Sequence, residues 1–197
     1  KINDQTVFSA GVYFEFYHTS FVDSLDSYGT GFVPLRNYTG NTNLCRGFIQ
    51  WKHNFTEKLY LNTGFTYQYL FLNNSQSPEP RLGLKYEINK KQSVSLGAGL
   101  HSQVQPLYIY FATANLGNGN VKETNRNLDF TKAAHAVLAY DINLFNSVRI
   151  KSELYYQYLY KIPVRSRPDY FSAANLGADF NSPNVDSLLS NGTGSNY

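Results

Sequence analysis

The chain has 197 residues, a net charge of +3 and 42% hydrophobic residues, with a mean hydropathy of −0.39. No stretch approaches the roughly 18 uninterrupted apolar residues of a spanning helix, which excludes a helical membrane protein. The Lys and Arg residues are scattered, so the sequence indicates no nucleic-acid surface. The single cysteine, Cys45, cannot form an internal disulfide, and no Cys/His spacing indicates a metal site. We therefore expect no cofactor.

Alternation of apolar and polar residues begins near the amino terminus and predicts the first three strands. They cover residues 7–18, 44–53 and 59–72. In the third, Leu61, Phe65 and Tyr67 share one face while Asn62 and Thr66 share the other. Such a period of two indicates a sheet with one apolar and one polar face.

Four more segments with the same period follow and complete a set of about seven antiparallel strands. They cover residues 80–88, 93–105, 131–142 and 148–160. Alternation alone does not separate a soluble sandwich from a membrane barrel, because both bury one face and wet the other. The 17 Tyr and 14 Phe residues favour strands and also membrane interfaces.

Connection lengths favour the barrel. The connections after the second, fourth and sixth strands are short. The connections after the first, third, fifth and seventh strands are longer and include outer loops at approximately 19–43, 106–130 and 161–197. Short periplasmic turns and long extracellular loops are typical of outer-membrane barrels. Aromatic residues are expected to form two girdles, with Tyr67, Tyr69, Phe71, Tyr156, Tyr158 and Tyr160 at the outer end and Trp51, Tyr86 and Tyr140 at the other.

The strand count predicts that the barrel is larger than this chain. An odd number of strands cannot close a bacterial barrel, and residues 190–197 have loop chemistry rather than the pattern of a closing strand. About 28 residues per strand favours the large plugged barrels of about 22 strands. We therefore expect an incomplete part of such a barrel, processed or cut from a longer parent.

Several segments resemble one family. Residues 80–86, 95–103 and 127–132, followed by 183–187 and 191–194, are similar to the barrel of TonB-dependent outer-membrane receptors of the Bacteroidetes type. The resemblance covers most of the chain after about residue 43. It implies a receptor in the outer membrane of a Gram-negative bacterium that imports a scarce nutrient, such as an iron chelate, cobalamin, glycan or peptide.

The same resemblance implies several partners. They are outer-membrane lipid, a plug domain of the parent chain, a TonB-type energy-coupling protein that engages the missing amino-terminal part, and in some members a surface lipoprotein. The plug domain itself is absent from this sequence. Two alternatives stay open: a passive porin or structural barrel without energy coupling, and a soluble β-sandwich adhesin whose core would hold Val94, Leu96 and Leu100.

Aromatic and basic residues in the long loops are the ligand-binding candidates, because such rings stack on sugars or aromatic chelators. Packing of the loops against each other explains them equally well. The candidates are Tyr28, Phe32, Arg36 and Tyr38 in the loop over residues 19–43, and Tyr108, Tyr110 and Phe111 in the loop over residues 106–130.

A second set is expected to face the lumen, where its charges would ion-pair with a plug or remain solvated. It comprises Arg46, Lys52, Arg81, Lys85, Glu87, His101, His135, Arg149, Lys151 and Glu153. Strand alternation points His101 and Ser102 to opposite faces, so they cannot pair as base and nucleophile. We therefore expect no enzyme activity.

Overall fold

The structure is a computed structural model and describes residues 5–26, 29, 31–115, 121–145, 147–165, 172–175 and 189–196. The chain is built almost entirely of antiparallel strands. In order, the elements are β1 (Thr6–Asp26), β2 (Phe32–Asn54), β3 (Leu59–Leu70), β4 (Ser75–Asn89), β5 (Gln92–Gln103), α1 (Leu107–Tyr110), β6 (Thr113–Asn115), β7 (Val121–Glu123), β8 (Thr131–Phe145), β9 (Val148–Arg165), a 3-10 turn (Ala173–Asn175) and β10 (Leu189–Asn196).

Eight strands form one sheet in the order β1-β2-β3-β4-β5-β8-β9-β10, while β6 and β7 pair as a separate hairpin. Every neighbour in the large sheet is antiparallel. The all-β antiparallel prediction is therefore confirmed, with β1 and β10 at the two edges. Of the helices in the described ranges, none has the length and apolar content that a membrane crossing requires.

The strand register sorts the side chains into two faces. On the apolar face, one row crosses five neighbouring strands and consists of leucine alone: Leu61, Leu84, Leu96, Leu138 and Leu154. The last four of these side chains are 37–73% exposed. All nine predicted girdle aromatics also lie on the apolar face. The register does not divide them into the two predicted levels, because Trp51 and Tyr156 belong to the same cross-strand row. The opposite face, which we call the polar face, carries the charged residues of the same strands.

The prediction of about seven strands is wrong by one, because β10 pairs with β9 over Leu189–Asn196. This segment is rich in Ser, Asn, Gly and Thr and has no apolar alternation. Its backbone hydrogen bonds form the strand without a side-chain pattern. Sequence reasoning therefore assigned residues 190–197 to a loop.

Most of the outer loop predicted at approximately 19–43 forms regular strand in the described residues. β1 continues to Asp26 and β2 starts at Phe32, so the two strands form one hairpin of 21 and 23 residues. Polar cross-strand pairs hold its outer half, including the hydrogen bond of 2.9 Å between the Ser20 and Thr39 hydroxyls. Apolar side chains occur on both faces there, as the neighbours Phe21 and Val22 show, so the regular alternation is lost.

The predicted loop over residues 106–130 contains α1, β6 and β7, and its residues 107–111, Leu128 and Phe130 pack against the polar face. The predicted loop over 161–197 contains the end of β9, the 3-10 turn and β10. The main core of the chain lies under the connection from β5 to β8. It consists of Leu44, Leu70, Ile109, Tyr110, Phe111, Leu128, Phe130 and Leu189.

Candidate functional site

The polar face carries all ten residues that the sequence predicts to face a lumen. They lie on β2, β4, β5, β8 and β9 in matching register. The structure therefore brings the predicted set to one surface of the sheet. Near the short turns the charges pair along and across strands: Lys85 with Glu87 at 2.9 Å, Lys151 with Glu153, and Arg149 with Asp141.

A buried carboxylate organises the middle of the polar face. Glu79 is only 2% exposed. It accepts hydrogen bonds from the side chains of Gln68 and Ser102 and forms an ion pair of 2.8 Å with Arg81. Arg46 Nε extends the network by donating to Gln68 Oε1 at 3.0 Å. This network crosses four neighbouring strands, β2 to β5, and includes both guanidinium groups.

An open cavity of about 630 Å³ lies in front of this network. Gly64 and Gly83 form part of its floor, and Tyr13 and Phe48 stack at one side with 6.0 Å between ring centroids. Amide, guanidinium and aromatic groups therefore surround one space. Such a surface can bind a polar ligand through hydrogen bonds and ring stacking.

The two polar-face histidines contact each other. The rings of His101 and His135 lie 4.9 Å apart, edge to face, and His135 Nε2 also lies 3.3 Å from the Gln157 amide nitrogen. The prediction that His101 and Ser102 point to opposite faces is wrong, because both line the cavity in front of the Glu79 network. The Ser102 side chain bonds Glu79 and Gln68. Among the described residues, no group of three or more His, Cys, Asp or Glu side chains is placed to hold a metal ion.

Four of the predicted loop residues come together above the polar face. Tyr38 stacks on Phe111 with centroids 3.6 Å apart, and Arg36 lies 5.2 Å from the Tyr108 ring centre. Arg36 is also held by an ion pair to Asp23. The two predicted loops therefore meet through aromatic packing.

The burial of these residues decides which of them a ligand could reach. Tyr110 and Phe111 are 0% exposed and form the core under the connection, so in this structure they are not ligand contacts. Burial raises the pKa of both Tyr110 and Tyr108. Phe32 is 78% exposed on the hairpin and does not join the others, while Tyr28 lies outside the described residues.

Sequence reasoning missed Glu79, Gln68 and Ser102 as a unit. The sequence does predict Gln68 on the polar face, because it continues the polar positions of the alternating third strand. Glu79 was hidden because it lies in a segment that the sequence predicts as a connection but that belongs to β4. Ser102 was missed because strict alternation along β5 predicts its side chain on the apolar face.

The comparisons with known proteins identify no relative: the chain matches no protein-family model, no curated protein and no solved structure.

The Glu79 network provides a stability prediction. Glu79→Ala is expected to lower the free energy of unfolding by about 2 kcal/mol, because the donors of Gln68, Ser102 and Arg81 lose their buried acceptor. Equilibrium unfolding in urea, in detergent micelles, measures it. Glu153→Ala is the control, since it breaks an exposed pair that contributes less than about 1 kcal/mol. If both variants lost the same free energy of unfolding, the Glu79 network would not stabilise the fold more than an exposed ion pair does.

Proposed function

We propose that this chain forms part of the wall of an outer-membrane receptor that binds a scarce nutrient and imports it. The apolar face carries the proposal: a row of five leucines and nine aromatic residues lie on a surface that no described element covers. Monomeric soluble proteins rarely expose contiguous apolar patches larger than a few hundred Å². Bilayer lipid is the occupant that suits this face.

The arrangement of the strands supports the same proposal. Each strand of the large sheet except β10 has at least 12 residues, enough for the 9–11 tilted residues of a membrane crossing. β1 and β2 exceed this length about twofold and would extend roughly 70 Å, well beyond the hydrocarbon core. Their outer halves would project from the membrane as a rigid hairpin.

The resemblance of residues 80–86 and 95–103 to TonB-dependent receptors of the Bacteroidetes type supports import driven from the inner membrane. In this proposal further strands of a longer parent close the barrel beside β1 and β10. A plug domain of the same parent fills the lumen and contacts the polar face. The coupling protein, and in some systems a surface lipoprotein, complete the machinery in a Gram-negative bacterium.

A passive outer-membrane porin is the second candidate. The packing of residues 104–111 and of Leu128 and Phe130 against the polar face favours it, because such a segment narrows an open channel without a plug. Energy dependence separates the two functions. Collapse of the inner-membrane proton gradient should abolish import through a receptor and leave diffusion through a porin unchanged.

The size of the native polypeptide tests the proposal first. An antibody against this chain should detect, in an outer-membrane fraction, a band several times heavier than 22.4 kDa. Such a parent has room for a plug and additional strands. A band at 22.4 kDa would contradict the receptor, and recovery in the soluble fraction would favour the β-sandwich adhesin.

A further inference from the structure

A second cavity, of about 470 Å³, lies on the polar face at the end of the sheet that carries the short turns. Its walls come from β4, β5, β8 and β9 and from the turn between β4 and β5. Five cationic side chains line it: Lys85, Lys90, Lys91, Arg149 and Lys151. We call this cavity the basic basin.

The basic basin carries a surplus of positive charge. Glu87, Asp141 and Glu153 pair with Lys85, Arg149 and Lys151. Within the described part of the chain, neither Lys90 nor Lys91 has a carboxylate partner, so two of the five positive charges remain uncompensated. Both lysines are exposed in a tight turn, where Lys91 N–H donates to Asn89 Oδ1 at 2.8 Å. The turn therefore fixes their backbone at the rim.

Neutral donors complete the floor of the basic basin. Ser93 and Ser95 lie on the polar face of β5 beside Glu87 and Lys85, and both line the cavity. Their hydroxyls have no hydrogen-bond partner within the described ranges, so both can donate to a ligand. Ammonium and hydroxyl donors that surround an open space match the acceptor-rich oxygens of phosphate and carboxylate groups.

We infer that the basic basin binds the oxyanion group, phosphate or carboxylate, of a small soluble anion. A role in import rests on the proposed function: in an importing barrel the basic basin would line the path of the solute and favour anionic cargo. Binding itself requires only the cavity. The volume admits a small molecule and the open side faces away from the apolar surface.

Calorimetric titration of the full chain in detergent micelles tests this inference. Inorganic phosphate and citrate are the probes, titrated separately at constant ionic strength, and their comparison distinguishes phosphate from carboxylate recognition. We expect saturable binding of at least one probe. Lys90→Gln/Lys91→Gln should weaken it at least about tenfold, because two unscreened charges near the ligand are lost.

A double variant with the same loss of charge is the control. Lys58→Gln/Lys122→Gln removes two lysines that do not line the basic basin and should bind the probes as the unchanged chain does. Circular dichroism establishes that each variant retains its strands. Absence of saturable binding by a folded chain, or equal weakening in both double variants, would overturn the inference. Membrane insertion would be unaffected by that outcome, so the proposed function would stand.

Discussion

In the full-length parent, Leu96→Arg is expected to prevent stable insertion of the barrel into lipid. Leu96 lies at the centre of the leucine row on β5, between Leu84 and Leu138. An arginine on the lipid-facing side of a barrel costs about 2–4 kcal/mol near the bilayer midplane. A second arginine at Leu138 adds repulsion between directly opposed like charges. The fraction of chain that resists extraction from membranes by urea measures the effect.

The matched control places the same charge on the other face. Gln50 lies on the polar face of β2, where it bonds Asn62, and Gln50→Arg should insert as the unchanged chain does. Impaired insertion of both variants would show a general intolerance of charge. If Leu96→Arg left a water-soluble chain unfolded instead, the apolar face would be the core of a soluble sandwich.

Phe111→Ala is expected to release the connection between β5 and β8 from the polar face. Phe111 is fully buried, stacks on Tyr38 and lies 6.0 Å from the Phe21 ring. Removal of a buried phenylalanine costs about 3–5 kcal/mol, through lost burial and the cavity that remains. Amide hydrogen exchange should accelerate throughout α1 and residues 121–130, because these segments share the same core.

Phe32→Ala is the comparison for this prediction, since its ring is 78% exposed on the hairpin of β1 and β2. It should leave the exchange of α1 unchanged. Two hydrogen bonds from Asn73 Nδ2, to the Leu128 and Arg126 carbonyl oxygens, also hold the connection. If Phe111→Ala left exchange unchanged, these polar contacts rather than the aromatic core would retain the segment.

Strand positions and faces were predictable wherever one face is apolar. In β5, Val94, Leu96 and Leu100 alternate with small or polar residues, and the prediction of a strand is confirmed. The outer half of the hairpin and β10 were not predictable. Apolar residues lie on both faces of the first, as at Phe21 and Val22, and residues 190–196 of the second are small or polar on both faces. There the backbone pairing with a neighbouring strand determines the structure, and no local pattern records it.

Part of the candidate site was predictable from the sequence and part was not, for the same reason. Alternation placed Lys85, Arg149 and the other lumen candidates on one face, because each lies in a strand with a clear pattern. It could not show that Tyr110 and Phe111 are buried, since loop aromatics in a sequence look the same whether they pack or bind. Nor could it find the Glu79 network, which depends on the register of four neighbouring strands.

Cysteine labelling along β5 tests the central claim, that this sheet separates lipid from water. Single cysteines from residue 94 to residue 100, in a Cys45→Ser background of the full-length parent, would carry a fluorophore in lipid vesicles. The account predicts quenching by lipid-borne nitroxide at Val94, Leu96, Ala98 and Leu100, and quenching by an aqueous reagent at Ser95, Gly97 and Gly99. Equal access of the aqueous reagent to both sets would contradict it.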